Sequence, residues 1–227
     1  MSIGETGLKN MALALIERWL TGWSLSRGVP LPLPYDGGLV VEVGMPAQLR
    51  RYVFADAGQA LQACADRIRD PHIFLKAPVE PEVLRQALPA RWKIEVPGYF
   101  MQGPSQAMDQ VAMPDGYRTI FETQHGANVV RVIHESGELA ASGRIVLYGQ
   151  TAIFDQIETA ESHRRRGLGS VVMQALDALA VQANVNERLL VATEDGRALY
   201  TRLGWQVISP WSTAVLQIGR ASCRERV

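Results

Sequence analysis

Hydrophobic and polar positions in the second half of the chain follow the two periods of a mixed α/β domain. Runs in which apolar or β-branched residues alternate with polar ones predict strands at 117–123, 128–134, 139–148 and 151–159. These four strands are expected to form an antiparallel meander. Apolar residues then recur at helical spacing over Leu168–Ala183. The rest of this half is predicted as a strand, a helix and two short strands, at 188–193, 195–203, 205–208 and 213–217. Asp195 is expected to cap the helix.

The first half of the chain also alternates between helix and strand patterns. An amphipathic helix is predicted at Leu8–Trp23, followed by a proline-rich extended spacer at 29–34. Asp56 is expected to cap a second helix, which stops before Pro71. Residues 97–116 contain three prolines and three glycines and are expected to be a linker. The other predicted elements are strands at 38–44, 48–55, 72–77 and 91–96 and a helix at 79–88.

A basic, glycine-containing stretch, His163–Ser170, lies between the predicted strand at 151–159 and the helix that follows. The start of a helix leaves backbone N–H groups unpaired and carries roughly half a positive charge. Gly167 and Gly169 lack a Cβ, so a ligand can approach the backbone there. Three arginines add permanent charge and forked donors suited to phosphate. The stretch predicts a site for a polyanion such as a pyrophosphate.

The same stretch also suits a solvated basic turn before a helix. It is not a dinucleotide-binding fingerprint, because Val172 occupies the position of the third glycine. It is not a P-loop, because no Gly-Lys-Ser/Thr sequence follows.

The residue order around this stretch resembles the GCN5-related N-acetyltransferase (GNAT) family. The acyl-CoA loop of that family reads Q/R-x-x-G-x-G/A, and Arg164–Gly169 fits this pattern. Downstream, Ala198–Trp205 is similar to a second motif of the family, a helix with a tyrosine before a Leu-Gly-aromatic end. The resemblance covers roughly residues 116–217.

The resemblance implies an α/β (α+β) fold, a mixed and mostly antiparallel twisted sheet flanked by helices. The family usually has two helices between its first two strands, whereas only Gln124–Ala127 separates the strands here. An additional N-terminal α/β region at 1–113 therefore either supplies the missing half and acceptor recognition or is a diverged second copy of the fold. The acetyltransferase domain is predicted at 114–217.

The resemblance further implies that the protein binds acetyl-CoA as its acyl donor. Backbone groups of the strand before the loop would bind the pantetheine arm and the acyl carbonyl, and the loop would hold the pyrophosphate. The donor-binding residues predicted in this way are Ile157, Glu158, Thr159, Arg164, Arg165, Arg166, Gly167, Leu168, Gly169 and Ser170. Thr193 or Glu194 stands where the family often has an asparagine that contacts CoA.

Tyr200 matches the tyrosine that gives a proton to the departing sulfur in this family. A phenol of pKa about 10 stays protonated at neutral pH and can still serve a thiol of pKa about 8.5. A core tyrosine on a helix face is the alternative. Asp155 and Glu158 are candidate general bases, or solvated strand residues, and alternation places Asp155 on the face of Ile157 and Thr159. His163 is expected to contact phosphate or solvent.

Composition narrows the range of partners. Lys plus Arg and Asp plus Glu number 23 each, so no global charge indicates nucleic acid or a membrane. Cys64 and Cys223 form no metal-binding or disulfide spacing, and no metal is predicted. No apolar run approaches a membrane span and no signal peptide is recognisable, so a cytoplasmic protein is expected. Residues 218–227 can be written as a sequencing-adapter translation and are expected to be a non-native tail.

The sequence therefore predicts an acyl-CoA-dependent N-acyltransferase that acts by direct attack in a ternary complex. Its acceptor is a small-molecule or peptide amine, and its oligomeric state is open, with a homodimer as one option. A non-catalytic acyl-CoA-binding sensor or scaffold is the alternative. Nucleic-acid binding through the arginine triplet is disfavoured, because three arginines without interleaved aromatics form a small footprint.

Overall fold

The computed structural model describes the backbone of residues 3–216 and the side chains of residues 13–216. The predicted tail at 218–227 lies outside the described residues. The described chain contains five α-helices and twelve strands. The helices are α1 (Ile3–Arg27), α2 (Gln59–Arg67), α3 (Pro81–Ala87), α4 (Leu168–Gln182) and α5 (Glu194–Arg202). The strands are β1 (Leu33–Tyr35), β2 (Gly38–Met45), β3 (Gln48–Val53), β4 (Ile73–Ala77), β5 (Trp92–Ile94), β6 (Gly98–Gln102), β7 (Tyr117–Gln124), β8 (Ala127–His134), β9 (Leu139–Tyr148), β10 (Thr151–Thr159), β11 (Glu187–Ala192) and β12 (Gln206–Leu216).

The strands form one sheet in the order β1-β2-β3-β4-β12-β6-β11-β10-β9-β8-β7, and β5 pairs with β12 off this path. Two strand pairs are parallel, β3 with β4 and β10 with β11, and each is connected through a helix. The strand order is symmetric about its centre. The run β2-β3-β4-β12 on one side and the run β9-β10-β11-β6 on the other have the same sequence of antiparallel, parallel and antiparallel pairs. Each half of the chain thus repeats an antiparallel pair followed by a parallel crossover. The final strand of each half pairs with the other half, β6 with β11 and β12 with β4.

This topology confirms the predicted fold class, a mixed and mostly antiparallel sheet flanked by helices. The meander of β7 to β10 is confirmed. The prediction of a linker at 97–116 is wrong at its beginning, because β6 is a central strand of the sheet. The two strands expected at 205–208 and 213–217 are a single strand, β12, with an irregular register between Val207 and Ser209. The division of the chain at residues 113 and 114 stays a prediction, and the sheet crosses it.

The helices cover both faces of the sheet. α1 packs against β9, β10 and β2, and α4 packs against β8, β9 and β10. Ile153 of β10 belongs to the core under α1, whereas Phe154 belongs to the core under α4. Trp19 of α1 contacts the central strands edge-on, with ring centroids 5.6 Å from Phe100 and 5.0 Å from Trp211. The N-terminal helix is therefore part of the core that joins the two halves.

Two predicted helix caps are wrong. Asp56 does not cap α2, which begins later, after Gly58; the Asp56 carboxylate instead accepts a hydrogen bond from the Gly58 amide at 2.7 Å. Thr193, not Asp195, caps α5, and its hydroxyl accepts a hydrogen bond from the Gly196 amide at 3.2 Å. In both places the cap position is set by which amide the side-chain oxygen can reach.

A buried ion pair joins α4 to β11. Arg188 Nε donates to Asp177 Oδ1 at 2.6 Å, and both side chains are 2% exposed. The second carboxylate oxygen of Asp177 accepts the Met108 amide at 2.8 Å. The pair thereby fixes the segment after β6 as well as the helix. Within residues 3–216, no helix is both long enough and apolar enough to cross a membrane.

Candidate active site

The parallel strands β10 and β11 separate in the middle of the sheet. Their ladder ends at the pair Ile153–Leu189. Each strand then continues beside its other neighbour, β10 to Thr159 beside β9 and β11 to Ala192 beside β6. The facing edges hold backbone groups without ladder partners, where an extended ligand can bind like an added strand. The strand residues predicted to bind the donor lie beyond the point of separation: Ile157, Glu158 and Thr159.

A bulge in β10 changes which face its side chains occupy. The register with β9 shifts between Asp155 and Glu158, and Gln156 has a φ of 52°. Asp155 contacts α1, whereas Ile157 packs against the core under α4. The prediction that Asp155 and Ile157 share a face is therefore wrong, because the irregular residue interrupts the alternation. Glu158 is exposed.

The basic loop presents backbone amides at the start of α4. Arg165 and Gly167 both have positive φ, 62° and 78°, and Gly167 is the N-cap of the helix. In the described chain, the amides of residues 165–169 donate no hydrogen bond. Successive amides in such a conformation, at a helix N-terminus, form a concave anion site. The exposed arginines Arg164–Arg166 surround it.

The three arginines of the loop differ in what they contact. Arg166 donates to the hydroxyl of Tyr117 at 2.9 Å, and that hydroxyl lies 2.9 Å from His163 Nδ1. Arg164 reaches the carbonyl of Thr159 at 3.4 Å. Arg165 has no partner in the described chain. His163 is buried, 4% exposed, so the expected contact with solvent is wrong. The expected contact with phosphate stays a prediction. Tyr117 comes from a distant strand, and no local sequence signal indicates its role.

Gly169 allows the loop to contact α5. A Cβ at this position would lie 2.9 Å from Leu199 Cδ2. The sequence predicts that Gly169 leaves room for a ligand. In the structure, the missing Cβ leaves room for α5, the helix that carries Tyr200. Serine at 170 and leucine at 168 occupy the first turn of α4, with Leu168 buried beneath it.

Tyr200 is buried in the core under α4 and 7% exposed. Its hydroxyl makes no hydrogen bond in the described chain and is not among the fully buried polar atoms. Burial, with a smaller contribution from the charge of Asp155, raises the pKa of Tyr200. The side chain is therefore both a core residue and a phenol that remains protonated, so packing and proton donation are compatible.

Asp155 is held by the C-terminal end of α1. Arg27 forms a bidentate ion pair with it, Nε to Oδ2 at 2.9 Å and Nη2 to Oδ1 at 3.0 Å. The Ser26 hydroxyl also donates to Oδ2. Sequence reasoning missed both partners, because they lie more than a hundred residues away in a helix that resembles no known motif. No group of three or more His, Cys, Asp or Glu residues suited to a metal occurs in the described residues.

Comparisons with known proteins agree with this fold. The sequence model described as the Acetyltransferase (GNAT) family matches residues 91–205 of the 227. A GCN5-related N-acetyltransferase from Kribbella flavida is similar in structure, with a TM-score of 0.65 and 13% identity over 92% of this chain and 97% of that one. A second from Sphaerobacter thermophilus has a TM-score of 0.57 and 10% identity over 81% and 78%.

A tandem GNAT protein from the clavulanic acid biosynthesis pathway has a TM-score of 0.52 and 16% identity, over 65% of each chain. Among curated proteins, none matches the sequence.

Proposed function

Since the chain belongs to the GNAT acetyltransferase family, we propose that it transfers an acetyl group from acetyl-CoA to the nitrogen of an amine acceptor. Family membership supports an acyl-CoA N-acyltransferase function in general. The observation that carries the proposal for this chain is the separation of β10 from β11 beside the unpaired amides of residues 165–169. A slot with free backbone groups and an anion site at one end suits a long donor with an amide-containing arm and a pyrophosphate.

In this proposal the loop holds the donor at its phosphates. The amides of residues 165–169 donate to the pyrophosphate oxygens, and Arg165, which is exposed and unpaired, adds a charge-assisted contact. Arg164, Arg166 and Ser170 border the same anion site. The backbone of Ile157–Thr159 binds the pantetheine arm along the open edge of β10.

The chemical step is the attack of a neutral amine on the thioester carbonyl carbon. The C–N bond forms, the C–S bond breaks, and CoA leaves as a thiolate that accepts the proton of Tyr200. Because the pKa of Tyr200 is raised, the phenol stays protonated until the C–S bond breaks and the thiolate forms. Solvent then reprotonates the phenolate.

The proton released by the attacking amine goes to Asp155, through a bound water. A carboxylate has about four lone-pair positions. Ser26 and Arg27 occupy both on Oδ2, and Arg27 occupies one on Oδ1. One position on Oδ1 thus remains for a water. Glu158 is exposed and is the second candidate base.

Release of the CoA thiol from acetyl-CoA in the presence of an amine panel tests the proposal. In Tyr200→Phe, kcat should fall by about 10²-fold, the range for a general acid, with little change in the KM for acetyl-CoA. The free energy of unfolding should hardly change, because the hydroxyl makes no hydrogen bond in the described chain and its removal leaves no other group unsatisfied. In wild type, kcat should not decrease on the alkaline side below about pH 10, the pKa of a free tyrosine.

Tyr148→Phe is the matched control. This exposed tyrosine is the last residue of β9 and pairs with Thr151 at the start of β10, far along the strand from the donor-binding end. A full-rate Tyr200→Phe enzyme would remove Tyr200 from the mechanism. Tight binding of CoA without turnover on any amine would favour the sensor or scaffold function.

A further inference from the structure

Two guanidinium groups approach one tryptophan ring beside Asp155. Arg51 Cζ lies 3.5 Å from the centroid of Trp23, and Arg27 Cζ lies 4.9 Å from it. Arg27 belongs to α1 and is already paired with Asp155. Arg51 belongs to β3, in the first half of the chain. The N-terminal half thus places a second cation close to a candidate catalytic carboxylate.

Arg51 is buried without an anionic partner. It is 7% exposed, and among the described residues its only side-chain hydrogen bond is from Nη2 to Gln48 Oε1 at 3.1 Å. Its buried Nε has no acceptor, and in the described part of the chain no carboxylate lies within ion-pair distance. Burial, and to a smaller extent the charge of Arg27, lowers the pKa of Arg51 to about 9, while the charge of Asp155 opposes this shift. The side chain still carries its charge at neutral pH.

Lys76 is a second basic side chain on the same face. Its position in β4 pairs with Val53 of β3 and with Thr213 of β12, so Lys76 is a diagonal neighbour of Arg51. Lys76 Nζ donates to the Thr213 hydroxyl at 2.7 Å, and no carboxylate of the described residues is within ion-pair distance. Burial lowers the pKa of Lys76, and the charges of Arg51 and Arg27 lower it further.

The charges in this cluster do not balance. Among the described residues, Arg27, Arg51 and Lys76 face one nearby carboxylate, Asp155. Glu95 is the smallest of the influences on Lys76 and is paired with Lys93 at 3.1 Å. A buried charge without a partner is costly, and an anionic ligand bound beside it would remove this cost. The side chain of Arg27 is 31% exposed and Lys76 is half-buried, so the cluster is open to solvent.

The position of the cluster argues against the donor as its ligand. Arg51 and Asp155 both contact residues of α1, on the face opposite the core under α4. The anion site of the loop lies at the start of α4. A molecule that reaches Arg51 and Lys76 therefore approaches Asp155 from the side opposite the donor loop.

We propose that Arg51 and Lys76 bind an anionic group, a carboxylate or a phosphate, on the acceptor amine and so direct its nitrogen toward Asp155. This proposal rests on the proposed N-acyltransferase function and names the acceptor class: amines that carry a negative charge. The N-terminal half would then supply acceptor selectivity.

Acceptors that differ only in the anion test the proposal. Suitable pairs are β-alanine with propylamine, O-phosphoethanolamine with ethanolamine, and lysine with cadaverine, each assayed by thiol release from acetyl-CoA. We expect the anionic member to have the higher kcat/KM, and the first two pairs distinguish carboxylate from phosphate. In Arg51→Met and Lys76→Met, the KM for the anionic acceptor should rise roughly 10- to 100-fold, as for loss of a hydrogen bond to a charged group.

The melting temperature separates this role from a structural one. Arg51→Met should keep or raise it, because an uncompensated buried charge is removed; Arg51→Gln serves if the methionine variant does not fold. Arg50→Met is the matched control, since Arg50 alternates to the other face of β3 and pairs with Glu42. This control should keep the preference for anionic acceptors.

Equal use of neutral and anionic amines, or equal losses on both in the variants, would overturn the proposal. If no amine is acetylated, the proposed acyltransferase function is refuted independently of this proposal. The anion-binding subsite at Arg51 and Lys76 is then tested by thermal shift with β-alanine and O-phosphoethanolamine. A melting-temperature increase in wild type that is absent in Arg51→Met would support the subsite. No increase in either protein would refute it.

Discussion

Replacing Gly167 by alanine tests whether the conformation of the loop before α4 is needed to bind CoA. Gly167 has φ 78° and ψ 0°, in the left-handed region, and it is the N-cap of the helix. No described atom lies within 4 Å of where its Cβ would be. The substitution therefore introduces a backbone cost without a steric clash.

The magnitude follows from this geometry. The left-handed conformation costs a residue with a Cβ roughly 1–2 kcal/mol. If the loop keeps its conformation, the free energy of unfolding should decrease by about that amount. If the loop relaxes instead, the amides of residues 165–169 lose their common direction, and the Kd for CoA should rise. One lost hydrogen bond to a charged phosphate is worth about 1.5–3 kcal/mol, or roughly 10- to 100-fold in Kd.

Urea denaturation and calorimetric titration with CoA measure the two effects. Gly126→Ala is the matched control, because Gly126 has φ 86°, no described atom within 4 Å of a Cβ, and a place in the turn between β7 and β8. Both variants should lose similar stability, and only Gly167→Ala should lose CoA affinity. Unchanged CoA affinity in a destabilised Gly167→Ala protein would refute the loop as an amide-based anion site.

Two further predictions concern single side chains. Arg165→Ala should raise the Kd for CoA about tenfold without changing the urea midpoint, as expected for a charge-assisted contact from an exposed residue; an equal effect of an alanine at Ile133, outside the loop, would contradict this. Asp177→Asn should lower the free energy of unfolding by about 3–5 kcal/mol, because it leaves Arg188 as an uncompensated buried charge. Glu122→Gln, which breaks the exposed pair with Arg131, should lower it by less than about 1 kcal/mol.

The features that sequence predicted well are those set by nearby residues. The strand from Thr151 to Thr159, the turn with two glycines and the apolar stripe of α4 are all determined within about thirty residues. Their order within the chain is enough to indicate the fold of the second half. The donor-binding and catalytic roles of individual residues stay predictions, since they depend on a resemblance that the described contacts do not test.

The features that sequence missed depend on contacts between distant segments. β6 is short and bounded by Pro97 and Gly103, so its flanking residues predict a loop, whereas its pairing with β11 and β12 makes it a strand. Proline at 210 similarly favours two short strands, whereas the ladder with β6 continues through Pro210 to Trp211. The bulge at Gln156 could not be read from the alternating pattern either, and it reverses the face assigned to Ile157.

The exchange of final strands explains why the two halves form one sheet. If β6 and β12 each paired within their own half, the sheet would split into two units, each with its own parallel crossover. Instead each strand closes the sheet of the other half, and α1 packs across the junction through Trp19. The first half then differs from the second where a donor would bind: α2 is short, and Asp56 binds the amide of Gly58 at its start. The first half can therefore be a diverged copy of the fold and also the proposed source of acceptor contacts. Its crossover, β3-α2-β4, lacks the arginine loop but still brings Arg51 and Lys76 to the face of Asp155.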